Sequence, residues 1–314
     1  MRPQQLWFAT PAPPGSADTT WYTAGWLTIP EKLRSPELQI LVHGAGGDHR
    51  YWAWPTEPAR YSYVDWAAAH GIATLAIDRV GAGFSSRPPG RENTVENQAA
   101  ALHELVNAAR DGRFGPEFDR IVLVGHSLGS VVCGVEAATY ADVDATVLTG
   151  YMPVDAPDEA LTEEFFDAVF EPAADRLPHL RGLIDDDYLM AKPIDTSSML
   201  FCLDNADPAI VEAQRDFDGA LTRGELAATS TAGPLIRSSK ISTLVLVGQF
   251  DGLLIDASTD RDCHDAARRL AGVSPSTFTY RVVENAGHLL TLQFNAAETF
   301  ELMNDWIGEQ FDRN

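Results

Sequence analysis

Gly125-His126-Ser127-Leu128-Gly129 constrains this chain more than any other stretch. Just upstream, Ile121-Val122-Leu123-Val124 is a short apolar run rich in β-branched residues, which reads as a buried strand. Downstream, Ser130 to Tyr140 carries Ala and Val at helical spacing. A serine on a strand–turn–helix this tight sits in a strained backbone conformation. Side chains two residues to either side would strike the strand or the helix, which explains both glycines. Such a turn raises the Ser127 hydroxyl above the sheet edge and points a helix N-terminus at it. G-x-S-x-G by itself occurs in many ordinary turns. The flanking strand and helix make Ser127 a candidate nucleophile, and the rest of the chain must supply a base, an acid and an oxyanion site.

The 314 residues suffice for one large α/β domain carrying an insertion. No apolar run is long enough to span a bilayer, and residues 1–10 lack the apolar core of a signal peptide, so a cytoplasmic enzyme is expected. Cys133, Cys202 and Cys263 are far apart, which implies neither a disulfide framework nor a C-x-x-C metal pair. Cys133 reads as a small core residue of the post-serine helix. A formal net charge of −22 argues against nucleic acid and anionic membrane as partners, both of which call for clustered Lys and Arg.

Taken in order, Leu6–Thr10 and Trp21–Ile29 read as an antiparallel edge pair around a Pro/Gly-rich turn. Buried-type strands follow at Leu38–Val42, Ile72–Ile77, Ile121–Val124 and Ala145–Leu148. Helices at Tyr63–His70, Thr94–Arg110 and Ser130–Tyr140 alternate with them; Ala99, Leu102, Leu105, Val106 and Ala109 form one apolar stripe. Uniformly apolar strands alternating with helices predict a parallel sheet covered on both faces, with the functional loops at the strand C-terminal ends. From Tyr151 to Lys240 the rhythm breaks. This stretch reads as short helices (Asp158–Phe170, around Asp185–Met190, Asp207–Gly219, Thr222–Thr229) punctuated by prolines. The sheet pattern resumes with strands at Ile241–Val247 and Thr277–Val283 and helices at Thr259–Leu270 and Ala296–Phe311. The expectation is a core of residues 1–150 and 241–314, with an all-helical cap at 151–240 inserted before the last two strands.

His288, in Asn285-Ala286-Gly287-His288 after the last core strand, can reach back over Ser127 as general base. His43 and His126 lie inside glycine motifs and read as structural, while His49, His70, His103, His179 and His264 fit solvent-facing or loop positions. Asp251, on the loop after the strand that follows the insertion, is the preferred orienting acid; Asp155 is its rival and Asp256 a distant third. For the oxyanion, the N–H of Leu128 comes with the turn. The second donor should come from His43-Gly44-Ala45-Gly46-Gly47, with Ala45 preferred over Gly46 or Gly44. That loop lacks G-x-G-x-x-G spacing and a following Walker lysine, which argues against a nucleotide.

Together, His43–Gly47, Asp78–Ser85, Gly125–Gly129, Gly248–Asp251 and Gly287-His288 resemble the successive motifs of the α/β-hydrolase superfamily, serine-nucleophile branch with a helical cap. The likeness covers about residues 38–150 and 241–314. It implies a Ser127–His288–Asp251 triad in the family's chain order and no metal or other cofactor. The serine sets the chain apart from dehalogenases and epoxide hydrolases, whose nucleophile is an aspartate.

Aromatic side chains suggest an apolar pocket suited to a mid-sized hydrophobic substrate; Tyr51, Trp52, Tyr151, Phe165, Phe166 and Tyr188 are the candidates for lining it. The leading expectation is hydrolysis of an ester, lactone or thioester through an acyl-enzyme. Non-hydrolytic use of the same residues (C–C cleavage, lyase chemistry or cofactor-free oxygenation) and a non-catalytic ligand-binding role are the alternatives. The sequence is compatible with a homodimer and does not specify the natural substrate.

Overall fold

The computed structural model describes residues 3–154, 168–193, 195–215, 217, 219–229, 231–254 and 262–311. Eight strands form one sheet: β1 (Gln4–Pro11), β2 (Thr20–Thr28), β3 (Glu37–Val42), β4 (Ala73–Asp78), β5 (Arg120–His126), β6 (Ala145–Thr149), β10 (Thr243–Gly248) and β11 (Phe278–Val283). Their spatial order is β1-β2-β4-β3-β5-β6-β10-β11. β1 pairs antiparallel with β2 and β2 antiparallel with β4; every other neighbouring pair is parallel.

The continuous apolar runs follow from burial on both faces. Along β5, Ile121 and Leu123 join one core cluster, while Val122 and Val124 join the other. The first cluster packs under the helices Val95–Arg110 and Leu128–Thr139, and the second under Tyr63–Ala69 and Ala296–Phe311. The Val95–Arg110 helix starts where the Thr94 hydroxyl accepts from the Asn97 N–H, and it buries the expected stripe of Ala99, Leu102, Leu105, Val106 and Ala109. Cys133 is fully buried, and all three cysteines are free thiols. No helix among the described residues is long and apolar enough to cross a membrane.

The insertion between β6 and β10 departs from the all-helical expectation. β7 (Phe170–Pro172), β8 (Tyr188–Ala191) and β9 (Leu221–Thr222) form a separate antiparallel sheet. The segment around Asp185–Met190 is therefore a turn leading into a strand, not a helix. Its three aspartates look like a helix start, but two of them are taken up by tertiary contacts. The Asp185 carboxylate accepts from the Gly90 N–H, and Asp187 pairs with Arg91 and Arg223, each at 3.0 Å. The helices Pro208–Arg215 and Arg223–Thr229 lie within the expected ranges. The Asp158–Phe170 helix falls mostly outside the described residues, and Phe170 itself begins β7.

Candidate active site

Four loops at the C-terminal ends of β3, β5, β10 and β11 meet above the sheet. Ser127 follows β5 with φ 51° and ψ −120°, a region L-residues avoid, and caps the helix that begins at Leu128. A side chain at Gly129 would come within 2.4 Å of the Val42 and His43 carbonyls, and one at Gly125 within 2.5 Å of Ser130 Cα. Both glycines are thus required by close approach, as their spacing suggested. Thr149, at the end of β6, holds the turn from beside it. Its carbonyl accepts from the Ser127 N–H (2.8 Å) and the Ser130 hydroxyl (2.9 Å), and its own hydroxyl donates to the Gly125 carbonyl (2.9 Å).

His288 and Asp251 are brought together by the loops leaving β10 and β11. The Gln249 N–H donates to the Val283 carbonyl and the Phe250 N–H to the Ala286 carbonyl, which docks one loop on the other. In consequence His288 Nδ1 lies 2.8 Å from Asp251 Oδ2, while Asp251 Oδ1 accepts from the Leu253 N–H. Asp251 is fully buried and His288 nearly so. This contact orients the imidazole with Nδ1–H toward the carboxylate, leaving Nε2 for a substrate-side proton. Ser127 and His288 line the same cavity. Ser127 makes no side-chain hydrogen bond among the described residues. Asp155 and Asp256, the other candidate acids, lie outside the described residues.

A second imidazole stands beside the first. His126 stacks on Tyr51 (centroids 4.2 Å apart) and lies 4.8 Å from the His288 ring, and a side chain on Gly150 (φ 59°) would strike both imidazoles. Burial, with His288 and His43 nearby, pushes the His126 pKa well below its ordinary value and keeps the ring neutral. On the far side of Ser127 the β3 loop passes close by, since a Cβ on Gly44 would sit 3.0 Å from Ser127 Cβ. Ala45 is exposed to the cavity, and its N–H has no partner among the described residues. The Leu128 N–H is the first of its helix and so lacks an intrahelical acceptor.

What fixes the β3 loop was only half legible. His43 Nδ1 donates to the Gly44 carbonyl (2.8 Å) and Nε2 accepts from the Arg79 N–H (3.0 Å), so the ring is the neutral tautomer. Burial first, then the Arg79 charge, lowers its pKa to about 4. The Arg79 guanidinium in turn donates to the His43 and Gly44 carbonyls and forms a buried ion pair with Glu225 of the insertion. Gln98 bridges the two. Glu225 is also half of a capping box: its other oxygen accepts from the Thr222 N–H, and its N–H donates to the Thr222 hydroxyl. The Thr222-x-x-Glu225 spacing was the available signal for this contact. His49, expected at a solvent-facing or loop position, lies in the loop after β3 and is half-buried there; it stacks on Trp26 and donates to Asp78. Asp78 has His49 on one oxygen and the Phe84 N–H on the other, so the Asp48–His49–Asp78 group is satisfied without an ion.

The cavity measures about 210 Å³ and its exposed lining is mainly apolar. Of the aromatic residues put forward from sequence, Tyr51 lines it. Trp52 does not: it is wholly buried in the core against Tyr63. Tyr51 and Trp54, three residues apart along a 3-10 turn and its continuation, both meet the cavity, while Trp52 between them turns under it. Tyr151 packs onto the core cluster beneath the Leu128–Thr139 helix, away from the cavity. Tyr188 is buried within the insertion, its hydroxyl donating to the Pro88 carbonyl (2.7 Å), because β8 turns it toward the core loop. Phe165 and Phe166 lie outside the described residues. Sequence reasoning missed Leu200 and Phe217 of the insertion, and Leu289 and Leu292 beyond His288. Phe217 stacks near Trp54 (4.3 Å), and the Gly219 N–H donates to the Gly46 carbonyl, which brings the insertion over the β3 loop.

A family model described as the alpha/beta hydrolase family matches residues 39–302. The chain belongs to that family. This alpha/beta hydrolase is 29% identical over 279 residues to a 2-hydroxy-6-oxo-2,4-heptadienoate hydrolase of Pseudomonas putida, covering 86% of this chain and 89% of that protein. It is 30% identical over 129 residues to a probable esterase, PIR7A, of rice, covering 40% of this chain and 44% of the esterase. Among solved structures it resembles a monoglyceride lipase of Saccharomyces cerevisiae (TM-score 0.66, 13% identity, 99% of this chain and 96% of that one). A carboxyl esterase of Bacillus coagulans is similar too (TM-score 0.63, 16% identity, 98% and 99%). At these identities the structural likeness shows the fold alone. Family membership and hydrolase-named relatives together make the protein an enzyme of hydrolase type.

Proposed function

We propose that this alpha/beta hydrolase cleaves a carboxylic ester, lactone or thioester of a mid-sized hydrophobic substrate through an acyl-enzyme. One observation carries the reading: Ser127, strained at φ 51°, and the His288–Asp251 pair open on a single apolar cavity. In this scheme Ser127 Oγ attacks the carbonyl carbon as His288 Nε2 takes its proton. The tetrahedral oxyanion is held by the N–H groups of Leu128 and Ala45. Its collapse breaks the bond to the leaving group, which carries off the proton from His288. Water then repeats the sequence on the acyl-enzyme, while the Asp251 carboxylate stabilises the imidazolium. The insertion acts as the cap, and Trp54, Phe217 and Leu200 support an apolar acyl site.

C–C bond hydrolysis is the second reading, favoured by the 86% coverage of the heptadienoate hydrolase match. Substrates of that name are carboxylates. The described lining residues include no Lys or Arg and do include Asp48, which supports a neutral substrate instead. The test is labelling with a fluorophosphonate probe, followed by turnover of a chromogenic short-chain ester and of a 2-hydroxy-6-oxo-dienoate. Ser127→Ala should abolish labelling and lower ester turnover by at least about 10⁴-fold. Undiminished ester turnover would overturn the proposal, and turnover of the dienoate alone would establish the second reading.

A further inference from the structure

One cluster of ligating side chains has no part in this chemistry. His103 comes from the helix Val95–Arg110, Glu136 from the helix Leu128–Thr139, and Asp142 from the turn just beyond it. A ligating atom from each lies within 4.8 Å of the others. His103 Nδ1 is 2.6 Å from Asp142 Oδ2. The ring is held on both sides, stacked on Tyr140 (4.0 Å, 9°) with the Asn107 amide 3.1 Å from Nε2.

Glu136 is the member that asks for an occupant. It is fully buried, and no N–H or O–H of the described residues reaches either of its carboxylate oxygens. Asp142 Oδ1 is buried and equally without a donor. Arg110 does not neutralise the pair: its guanidinium engages the Asp142 carbonyl and the Asp144 carboxylate. Two neighbouring carboxyl groups cannot both stay buried and charged with nothing positive between them, so either a proton or a cation stands there. A proton shared by the Glu136 and Asp142 carboxyls is the alternative occupant.

We propose that His103, Glu136 and Asp142 form a divalent transition-metal site, of the zinc type, that ties the helix following Ser127 to its neighbour. One imidazole and two carboxylates make a donor set for zinc-like ions; calcium and magnesium ask for six or more oxygens. A divalent ion matches the charge of the two carboxylates with no proton needed on Glu136 or on His103. The His103 and Asp142 side chains are 26% and 20% exposed, which opens a route for the ion and a fourth position for water, with Glu136 closing the back. Ligands of a tetrahedral zinc stand about 3.4 Å apart, so rotamer-scale movement closes the set. With His103 bound through Nδ1, the Asn107 amide would turn its oxygen toward Nε2–H, while Tyr140 holds the ring face.

Zinc titration of the chelator-treated full-length protein by isothermal calorimetry tests the site. It is run in a His264→Ala background, because the exposed His264–Glu284 pair could also bind zinc. One equivalent is expected, with affinity falling roughly 100-fold in Glu136→Gln. Saturating zinc should raise the Tm of the parent but not of that variant, and cobalt should give tetrahedral visible absorption in the parent alone. No zinc binding, or equal binding in parent and variant, would overturn the proposal and leave a shared proton as the occupant. Should Glu136→Gln fail to fold, His103→Gln on the partly exposed ring carries the same comparison.

Discussion

Two buried pairs of a carboxylate with a basic side chain flank the candidate site, and they are held in opposite ways. His288–Asp251 joins loops leaving β10 and β11, adjacent parallel strands whose register sets the distance between them. Arg79–Glu225 joins the loop after β4 to the insertion, two regions that share no strand pairing. The first pair is a product of the core sheet. The second depends on the insertion reaching the loop that carries Ala45, and it gathers the His43 and Gly44 carbonyls as it does so. A carboxylate beside a basic side chain can therefore support chemistry in one place and docking in another; the elements that carry each pair tell which.

The largest effect expected from breaking this contrast is at Asp251. Asp251→Asn keeps the shape but loses the charge that favours the useful tautomer, so ester turnover should fall about 10⁴-fold. The urea midpoint should barely move. Turnover that survives would assign the acid role elsewhere, with Asp155 next to be replaced.

At Glu225 the expected order reverses, with stability affected first. Glu225→Ala strands the Arg79 charge and should destabilise the protein by about 3–5 kcal/mol in urea unfolding. The double variant Arg79→Met/Glu225→Leu removes both charges and should recover most of that loss. If the single variant unfolds no more easily than the parent, the pair does not fasten the insertion.

A smaller effect is expected at His43. Its imidazole titrates near 6.5 when unfolded and at about 4 when folded, so below pH 6.5 the unfolded chain binds more protons. Stability should be full above pH 6.5 and decline by up to about 3 kcal/mol as pH falls toward 4. His126, pushed down by burial, acts in the same direction. Chemical unfolding across that window should show a shallower slope in His43→Gln; an unchanged slope would mean that His43 does not contribute.

The core was readable because its signals are local. Ile121–Val124 followed by Gly125 to Gly129 states a strand, a turn too tight for side chains and a helix, and the observed elements differ only at their ends. Asp251 and His288 could be nominated for a similar reason: each lies a few residues past an apolar strand. The insertion was misread because β7, β8 and β9 are two to four residues long and pair across the chain. Asp185–Asp187 looks like a helix start or a solvated face, and only the partners Gly90, Arg91 and Arg223 reveal otherwise. Trp52 and Trp54 are equally apolar in composition, yet one is core and the other meets the cavity.

Periodicity and glycine spacing were enough to specify a doubly covered parallel sheet and the serine turn, because strand burial and close backbone approach leave their marks on neighbouring residues. Which aromatics border the cavity, where Arg79 finds its counter-ion, and how His103, Glu136 and Asp142 meet were decided by packing alone. The Arg79–Glu225 contact alone joins positions 146 residues apart, and no local pattern records a distance across the fold.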